Sequence, residues 1–276
     1  MWWLGTKNIQ EPSSFKKASF ISLLLDNIKE EDLIKIRQFD DKFASAVIIN
    51  NILKESNLEL HYIVHESLSD IFGLIDIHYE YENHKWLCLK ENAFDYKEWG
   101  GGVGAISLHS DDIYENRDID LLSLSICKDL SNTPTNYLPI KEIINLLNDE
   151  ELTMLLKAKA EFISGKNVSC IKKTIKNLIT YNNILKFNLD FRNDTNIGFR
   201  MLGLDTNSQH IIEILRNIIE TKINTSKFNG VGSFLIIKNK QVLHGRDKLN
   251  NIKQDIEKPR ILIRSKGLHF QNKECA

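Results

Sequence analysis

The sequence of 276 residues lacks several features from which a function is commonly read. Its 4 cysteines are widely separated and form no C-x-x-C pair, which argues against a zinc knuckle and a thioredoxin-type redox motif. No apolar stretch approaches the length that a membrane-spanning helix needs. The start of the chain has too short an apolar run for the core of a signal peptide. We therefore expect a cytoplasmic protein without a membrane partner.

An excess of charge of either sign is also absent. The formal net charge is -1, so no global field favours binding to nucleic acid. Hydrophobic residues make up 42% and charged residues 26%, which are ordinary values for a globular protein. A chain of this length can bury a large core, and no internal repeat or low-complexity linker divides it. We expect a single domain over residues 1–276 and no nucleic-acid partner.

Regular alternation of strands and helices is missing too, which argues against a doubly wound parallel sheet. Apolar spacing predicts helices after Ser14, from Glu30 to about Phe43, and from Ala46 to Leu53. Residues 1–95 are thus interpreted as a mainly helical N-terminal portion that packs on a core. Residues 96–266 contain many short strands with a helical insertion. Strands with such spacing favour a sandwich or a jelly roll.

Individual elements of this mainly β fold with flanking helices (α+β) follow from the local patterns. Helices are predicted at Ile140–Leu147, from Asp149 onward, and at 208–222. The run from Gly100 to Gly104 is interpreted as a loop or as a close approach to a ligand, because neither Lys-Ser/Thr nor a helix follows it as in a phosphate-binding motif. Strands are predicted at Tyr62–Val64, Ile75–Tyr79, Trp86–Leu89, Ala105–His109, Leu122–Cys127, Ile184–Asp190, Ser233–His244 (one strand or a pair) and Arg260–Arg264.

The segment His109-Ser110-Asp111 carries a potential pair of metal ligands. Side chains two residues apart in a strand point to the same face, so His109 and Asp111 aim at one point and Ser110 turns away. His244 follows an apolar run and precedes Gly245, which makes it the best candidate for a third ligand at a strand end. Two histidines and one carboxylate form the facial triad that leaves open positions on iron. The alternative for His109 and Asp111 is a polar turn.

Two arginines follow His244 on one predicted strand. Arg260 and Arg264 are four residues apart, so both side chains face the same way with Leu262 between them. Buried cations without anions are costly, and guanidinium groups bind carboxylates through two parallel hydrogen bonds. Beside a metal, this pair predicts a pocket for one or two ligands that carry carboxylates. That description suits 2-oxoglutarate and an acid substrate.

These residues resemble the motifs of the iron(II)/2-oxoglutarate-dependent oxygenases of the clavaminate synthase-like and taurine dioxygenase-like superfamily. The similarity is greatest to the amino-acid hydroxylases, such as asparagine oxygenase and arginine β-hydroxylase, and it covers roughly residues 95–266. The matching stretches are Gly101-Gly102, Leu108–Asp112, Arg117–Leu122, Pro134-Thr135, Leu185–Asp190 and Asn239–Arg246.

The resemblance implies a double-stranded β-helix that binds iron(II) and uses 2-oxoglutarate and O2. It implies hydroxylation of an unactivated carbon of a free L-amino acid, basic or asparagine, with release of succinate and CO2. It implies that Arg260 and Thr135 bind 2-oxoglutarate, with Thr133 as the alternative to Thr135. It assigns the amino-acid substrate to Arg264 and Asp190. The implied metal ligands are His109, Asp111 and His244.

The chain departs from its close relatives at three points. Asp111 stands where they often carry glutamate, which still supplies a carboxylate and so retains hydroxylation. The gap from His244 to Arg260 is slightly longer than in these hydroxylases. Lys238-Asn239-Lys240 stands before His244 in place of the usual Asp-Asn-Arg. These changes bear on the substrate rather than on the core chemistry. Two alternatives stay open, namely an oxygenase of another small acid, as in taurine dioxygenase, and a jelly-roll binding protein that has lost catalysis.

Overall fold

The computed structural model describes residues 29–40, 44–53, 57–77, 87–90, 104–114, 119–165, 171–180, 184–189, 199–221, 225–249 and 260–270. Helices α1 to α5 span Glu30–Asp40, Leu58–Ile71, Ile140–Ile144, Asp149–Lys157 and Thr206–Thr221. Strands β1 to β13 span Ala46–Ile49, Leu74–Asp76, Leu87–Lys90, Ile106–His109, Leu121–Asp129, Thr135–Pro139, Lys159–Ile163, Lys173–Asn177, Arg200–Gly203, Ser226–Phe228, Phe234–Lys238, Val242–Arg246 and Arg260–His269.

Two antiparallel sheets form the centre of the molecule. The major sheet has the strand order β1-β11-β5-β13-β2, and β3 also pairs with β13. The minor sheet has the order β10-β6-β12-β4. A lateral sheet, β8-β7-β9, belongs to the helical insertion between β6 and β10. Neighbouring strands in each sheet are mostly distant in sequence, so the central strands are delivered by crossovers rather than by hairpins alone.

An apolar core joins the major and minor sheets. Alternate residues of β5 (Leu122, Leu124 and Ile126) pack in one cluster with Leu262 of the neighbouring β13 and Val242 of β12 in the minor sheet. Burying each such side chain contributes roughly 1.5–3 kcal/mol. Because side chains alternate along a strand, Arg260 and Arg264 share the face of Leu262 and point between the sheets. The strand pattern therefore directs two arginines into the interior.

The outer faces of both sheets are covered by helices. Helices α1 and α2 pack on the major sheet through a cluster that includes Phe39, Leu68 and Phe234. Helices α3 to α5 and the lateral sheet cover the minor sheet through a cluster that includes Leu243 and Leu215. Every helix of the described ranges is too short or too polar to cross a membrane.

Three local predictions were wrong. Ala46–Leu53 was expected to be helical, but Ala46–Ile49 is an edge strand paired with β11. Tyr62–Val64 was expected to be a strand but lies inside α2, whose first turn is capped by the Asn57 side chain. Ile184–Asp190 forms only one isolated bridge, at Leu185, within its described part. Short apolar runs fit either type of element, and the pairing partner decides between them. The helix expected after Ser14 lies outside the described residues.

A buried polar cluster lies between α2 and the outer face of the major sheet. The imidazole of His65 is 0% exposed. Its Nδ1 lies 2.8 Å from Ser125 Oγ, and its Nε2 lies 3.1 Å from Ser265 Oγ. Ser69 joins the cluster through Ser123, with 3.0 Å between the hydroxyls. Burial lowers the pKa of His65 to about 3, so the ring stays neutral with one nitrogen donating and one accepting.

We expect acid to destabilise the fold through His65. Its pKa of about 3 in the folded chain lies below the ordinary value of 6.5, so below pH 6.5 only the unfolded chain takes up this proton. Stability is then lost by up to about 1.4 kcal/mol per pH unit toward pH 3. Urea unfolding of His65→Asn should show lower stability at pH 7.5 but a flatter slope between pH 6.5 and 5. Equal slopes in the unsubstituted protein and in His65→Asn would contradict the role of His65. His210→Asn, at an exposed position, serves as the control.

Candidate active site

Strands β4 and β12 bring two histidines side by side. His244 is the register partner of His109, and the two ring centroids are 4.5 Å apart. His109 Nε2 lies 3.3 Å from Asp111 Oδ1, and His244 Nε2 lies 3.8 Å from Asp111 Oδ2. One ligand atom from each of the three residues falls within 4.8 Å of the other two. The predicted set of two imidazoles and one carboxylate thus converges on one point.

The close pairing of these strands depends on Gly245. The register shifts between His244 and Arg246, where β4 carries an extra residue. A Cβ at Gly245 would lie 2.5 Å from the carbonyl oxygen of Ile106, closer than real side chains come. Any other residue would push β12 away from β4. Gly245 therefore keeps the two imidazoles within reach of one ion.

Asp111 reaches the histidines for a different reason from the one predicted. Strand β4 ends at His109, so Asp111 lies in the turn beyond it, and Asp112 has a positive φ of 59°. Ser110 does turn away, as expected. Its backbone N–H donates to Phe187 O at 2.9 Å, and its hydroxyl accepts from Phe187 N at 3.2 Å. The turn is thus held by hydrogen bonds to Phe187 rather than by strand pairing.

The electrostatics favour the metal-binding forms of His244 and Asp111. His109 Nδ1 lies 2.8 Å from Ser107 O and donates to this carbonyl, which turns Nε2 toward Asp111. Burial, then the charge of His109, lowers the pKa of His244 to about 3. Burial opposes ionisation of Asp111, but the His109 hydrogen bond and the charges of His244 and Arg264 hold its pKa well below the usual range. Neutral imidazoles beside a carboxylate are the ligand forms that a divalent metal requires.

Arg260 lies deeper in the interior and is 0% exposed. Its Nη2 donates to Thr135 Oγ1 at 3.1 Å, and its Nε lies 3.7 Å from Asp129 Oδ2. Within the described residues, Nε and Nη1 have no hydrogen-bond acceptor. Asp129 Oδ1 accepts from Ser131 and Asn132 of its own turn, and Oδ2 is the oxygen that faces Arg260. A guanidinium of this kind fits a ligand carboxylate, because unfilled donors in the interior are costly.

The second arginine lies beside the predicted metal ligand Asp111. Arg264 Nη1 lies 3.5 Å from Asp111 Oδ2, and its side chain is 20% exposed. Lys266, the next residue on that face, pairs with Asp112 at 3.0 Å. Two threonines were considered as contacts of 2-oxoglutarate. Thr135 accepts from Arg260, whereas the Thr133 hydroxyl donates to Ser131 O. Asp190 and most of the Gly100–Gly104 run lie outside the described residues.

The donor set and the two arginines fit iron and a dicarboxylate together. The two imidazoles and one carboxylate suit a non-haem iron, with positions left open for other ligands. The unfilled donors of Arg260 lie on the same interior face of β13 as Arg264, which approaches Asp111. A ligand with two carboxylates could then bind the metal at one end and Arg260 at the other.

Comparison by sequence gives no match, either to a family model or to a curated protein. Comparison by structure gives many. Asparagine oxygenase in complex with Fe(II), 2S,3S-3-hydroxyasparagine and succinate is similar at a TM-score of 0.69 and 11% identity, over 94% of this chain and 85% of that one. The non-heme iron oxygenase OrfP with Fe and alpha-ketoglutaric acid is similar at a TM-score of 0.66 and 13% identity, over 96% and 90%. PvcB from Pseudomonas aeruginosa is similar at 0.59 and 14%, over 84% and 79%.

The chain has the fold of the non-haem iron oxygenases. The predicted fold class, a mainly β jelly roll with flanking helices, is therefore confirmed. In this fold, the three predicted metal ligands come from β4, the turn after it and β12 of the minor sheet, and the two arginines come from β13 of the major sheet. Sequence reasoning missed Asp129, Phe187 and the contacts of Asn239. Asn239 was visible only as the retained member of an otherwise altered motif.

Proposed function

We propose that the chain is an iron(II)- and 2-oxoglutarate-dependent dioxygenase that hydroxylates a free L-amino acid. The observation that carries the proposal is the convergence of His109, Asp111 and His244, together with a fully buried arginine that has unfilled donors on the same strand face as Arg264. The overall reaction converts the substrate C–H, 2-oxoglutarate and O2 into the alcohol, succinate and CO2. The similar asparagine oxygenase and OrfP structures, which carry hydroxylated asparagine or arginine with succinate, support an amino acid as the substrate.

Each residue has a separate task in this proposal. His109, Asp111 and His244 would hold iron(II), which supplies the activation of O2 and the oxidation of an unactivated C–H bond. Arg260 and Thr135 would bind the distal carboxylate of 2-oxoglutarate, since their donors lie together in the interior. Arg264 would orient the substrate carboxylate close to the metal ligands. Asp190 is proposed to contact the substrate side chain. The apolar core between the sheets excludes water from the reacting groups.

The deciding experiment uses the chain loaded with iron(II) under anaerobic conditions, then mixed with 2-oxoglutarate, O2 and a panel of amino acids. A gain of one oxygen in a basic amino acid or in asparagine, matched by succinate, supports the proposal. Oxidation of taurine-like acids alone would assign the chain to a different substrate class. Absence of succinate with every acid, despite bound metal, would contradict an oxygenase.

Replacing Arg264 should weaken binding of the substrate without weakening binding of the co-substrate 2-oxoglutarate. Arg264→Met removes a partly buried guanidinium, and loss of one partner of such a charge pair costs about 2–5 kcal/mol. We expect the substrate KM to rise at least about 30-fold while the affinity for 2-oxoglutarate changes little. Steady-state kinetics with each ligand varied in turn would measure both.

Lys266→Met is the matched control, because it removes a cation from the same face of β13 whose partner is Asp112. We expect a much smaller change in the substrate KM for this variant. Equal changes in both variants would show a general charge effect rather than a specific grip by Arg264.

A further inference from the structure

The turn that carries Asp111 has backbone groups that no strand satisfies. Strand β4 ends one residue before Ser110, and Asp112 adopts a left-handed conformation. Buried backbone N–H and C=O groups need partners, so side chains must supply them here. The backbone N–H of Ser110 donates to the carbonyl of Phe187. The remaining question is what fixes Asp111, the one predicted metal ligand outside a strand.

Asn239 makes two hydrogen bonds to the backbone of Asp111. The Asp111 N–H donates to Asn239 Oδ1 at 3.0 Å, and Asn239 Nδ2 donates to the Asp111 carbonyl at 3.3 Å. The opposite polarity of the two partners fixes the orientation of the amide. Asn239 is 4% exposed, so little water competes for these groups.

The position of Asn239 links two of the ligand segments. It lies in the tight turn between β11 and β12, and its own N–H donates to Asp120 O at 2.8 Å. That turn leads directly into β12, which carries His244. The ladder between β4 and β12 pairs His109 with His244 and extends no further toward Asp111. Asn239 therefore continues the connection where the ladder stops.

We propose that Asn239 is a positioning residue that clamps the Asp111 backbone and so sets the distance between the carboxylate and both histidines. This inference rests on the proposed metal centre. A carboxylate on a free turn would lose freedom when it binds metal, whereas a clamped turn presents it already in place. Both clamp bonds go to main-chain atoms, so they act whatever the side chain at position 111.

The test compares Asn239→Ala and Asn239→Asp with Gln241→Ala, an exposed position in the same turn. Hydrogen exchange of the Asp111 amide is followed in the metal-free protein, and Mn(II) affinity is followed through the EPR signal of the free ion. We expect Asn239→Ala to exchange at least about tenfold faster and to bind Mn(II) about 10–100-fold more weakly. Asn239→Asp keeps the acceptor and loses the donor, so it should retain most of the amide protection and show an intermediate affinity. Gln241→Ala should match the unsubstituted chain.

Each outcome decides the inference. Exchange and affinity in Asn239→Ala equal to those of Gln241→Ala would overturn it. Faster exchange with unchanged Mn(II) affinity would reject the positioning role. If Asn239→Ala fails to fold, Asn239→Asp still decides, because unchanged affinity in that variant would overturn the clamp. Absence of Mn(II) binding by the unsubstituted chain would instead overturn the proposed function, while the exchange measurement would still test the contact.

Discussion

Asp111→Ala should abolish succinate formation while leaving the chain folded. Two imidazoles alone hold a divalent ion poorly, and we expect Mn(II) or Fe(II) affinity to fall by more than the roughly 10–100-fold typical of losing an outer-shell contact. The fold should persist because Asn239 and Phe187 hold the turn through main-chain atoms and through Ser110, none of which the substitution removes. Removal of the carboxylate also leaves Arg264 without its nearest anion. Metal titration and a succinate assay measure the two effects.

Asp112→Asn is the control for that prediction. It alters the adjacent carboxylate, and the remaining carbonyl oxygen can still accept from Lys266. We expect metal affinity and succinate formation to be retained. Turnover by Asp111→Ala at the rate of the unsubstituted chain would show that the three ligands are wrongly assigned. Loss of metal only in Asp112→Asn would move the carboxylate ligand by one residue.

Arg260→Met should nearly eliminate binding of 2-oxoglutarate. The side chain is 0% exposed and offers unfilled donors in the interior, so its removal deletes the proposed partner of a carboxylate. A loss of about 2–5 kcal/mol corresponds to at least about 30-fold weaker affinity. Methionine has a similar length and no charge, but it leaves the buried Asp129 without its cation, so the melting temperature of the variant is measured alongside. Calorimetric titration of the metal-loaded protein with 2-oxoglutarate measures the affinity.

Two further variants sharpen the result for Arg260. Thr135→Val removes one hydroxyl beside the guanidinium. It should lower the affinity for 2-oxoglutarate by only about tenfold, which corresponds to the loss of a single hydrogen bond. Arg216→Met removes a partly exposed arginine that pairs with Glu220 on α5, and it should change nothing. Unaltered affinity in Arg260→Met, with metal still bound, would place the distal carboxylate elsewhere.

Periodicity in the sequence was sufficient to predict the face of the strand on which the two arginines lie. Alternation along one strand put Arg260 and Arg264 on a single face, and the structure places both between the sheets with Leu262. Proximity of His244 to His109 could be proposed from the residue types alone. Their direct pairing could not, because register depends on the bulge opposite Gly245. A local pattern predicts which face a side chain takes, whereas the partner strand is a property of the whole fold.

The geometry around Asp111 shows the limit more clearly. A spacing of two residues suggested one continuous strand, but the strand ends at His109 and a distant asparagine completes the arrangement. Hydrogen bonds between residues so far apart in sequence leave no periodic signal. The same holds for Asp129 beside Arg260, and for the edge strand Ala46–Ile49, whose apolar run also fits a helix.

The pairing of β4 with β12 has a consequence for folding. Before the minor sheet closes, the chain holds His109 near Asp111 but keeps His244 far away, so the unfolded ensemble has no complete set of ligands. An ion that binds only the native state raises the apparent stability, by about 2.7 kcal/mol at a concentration 100 times its Kd. Long-range pairing of this kind also forms late and slowly. Retention of a metal at the proposed centre would therefore report that the chain has completed its topology, and we expect the melting temperature to rise with the concentration of iron(II).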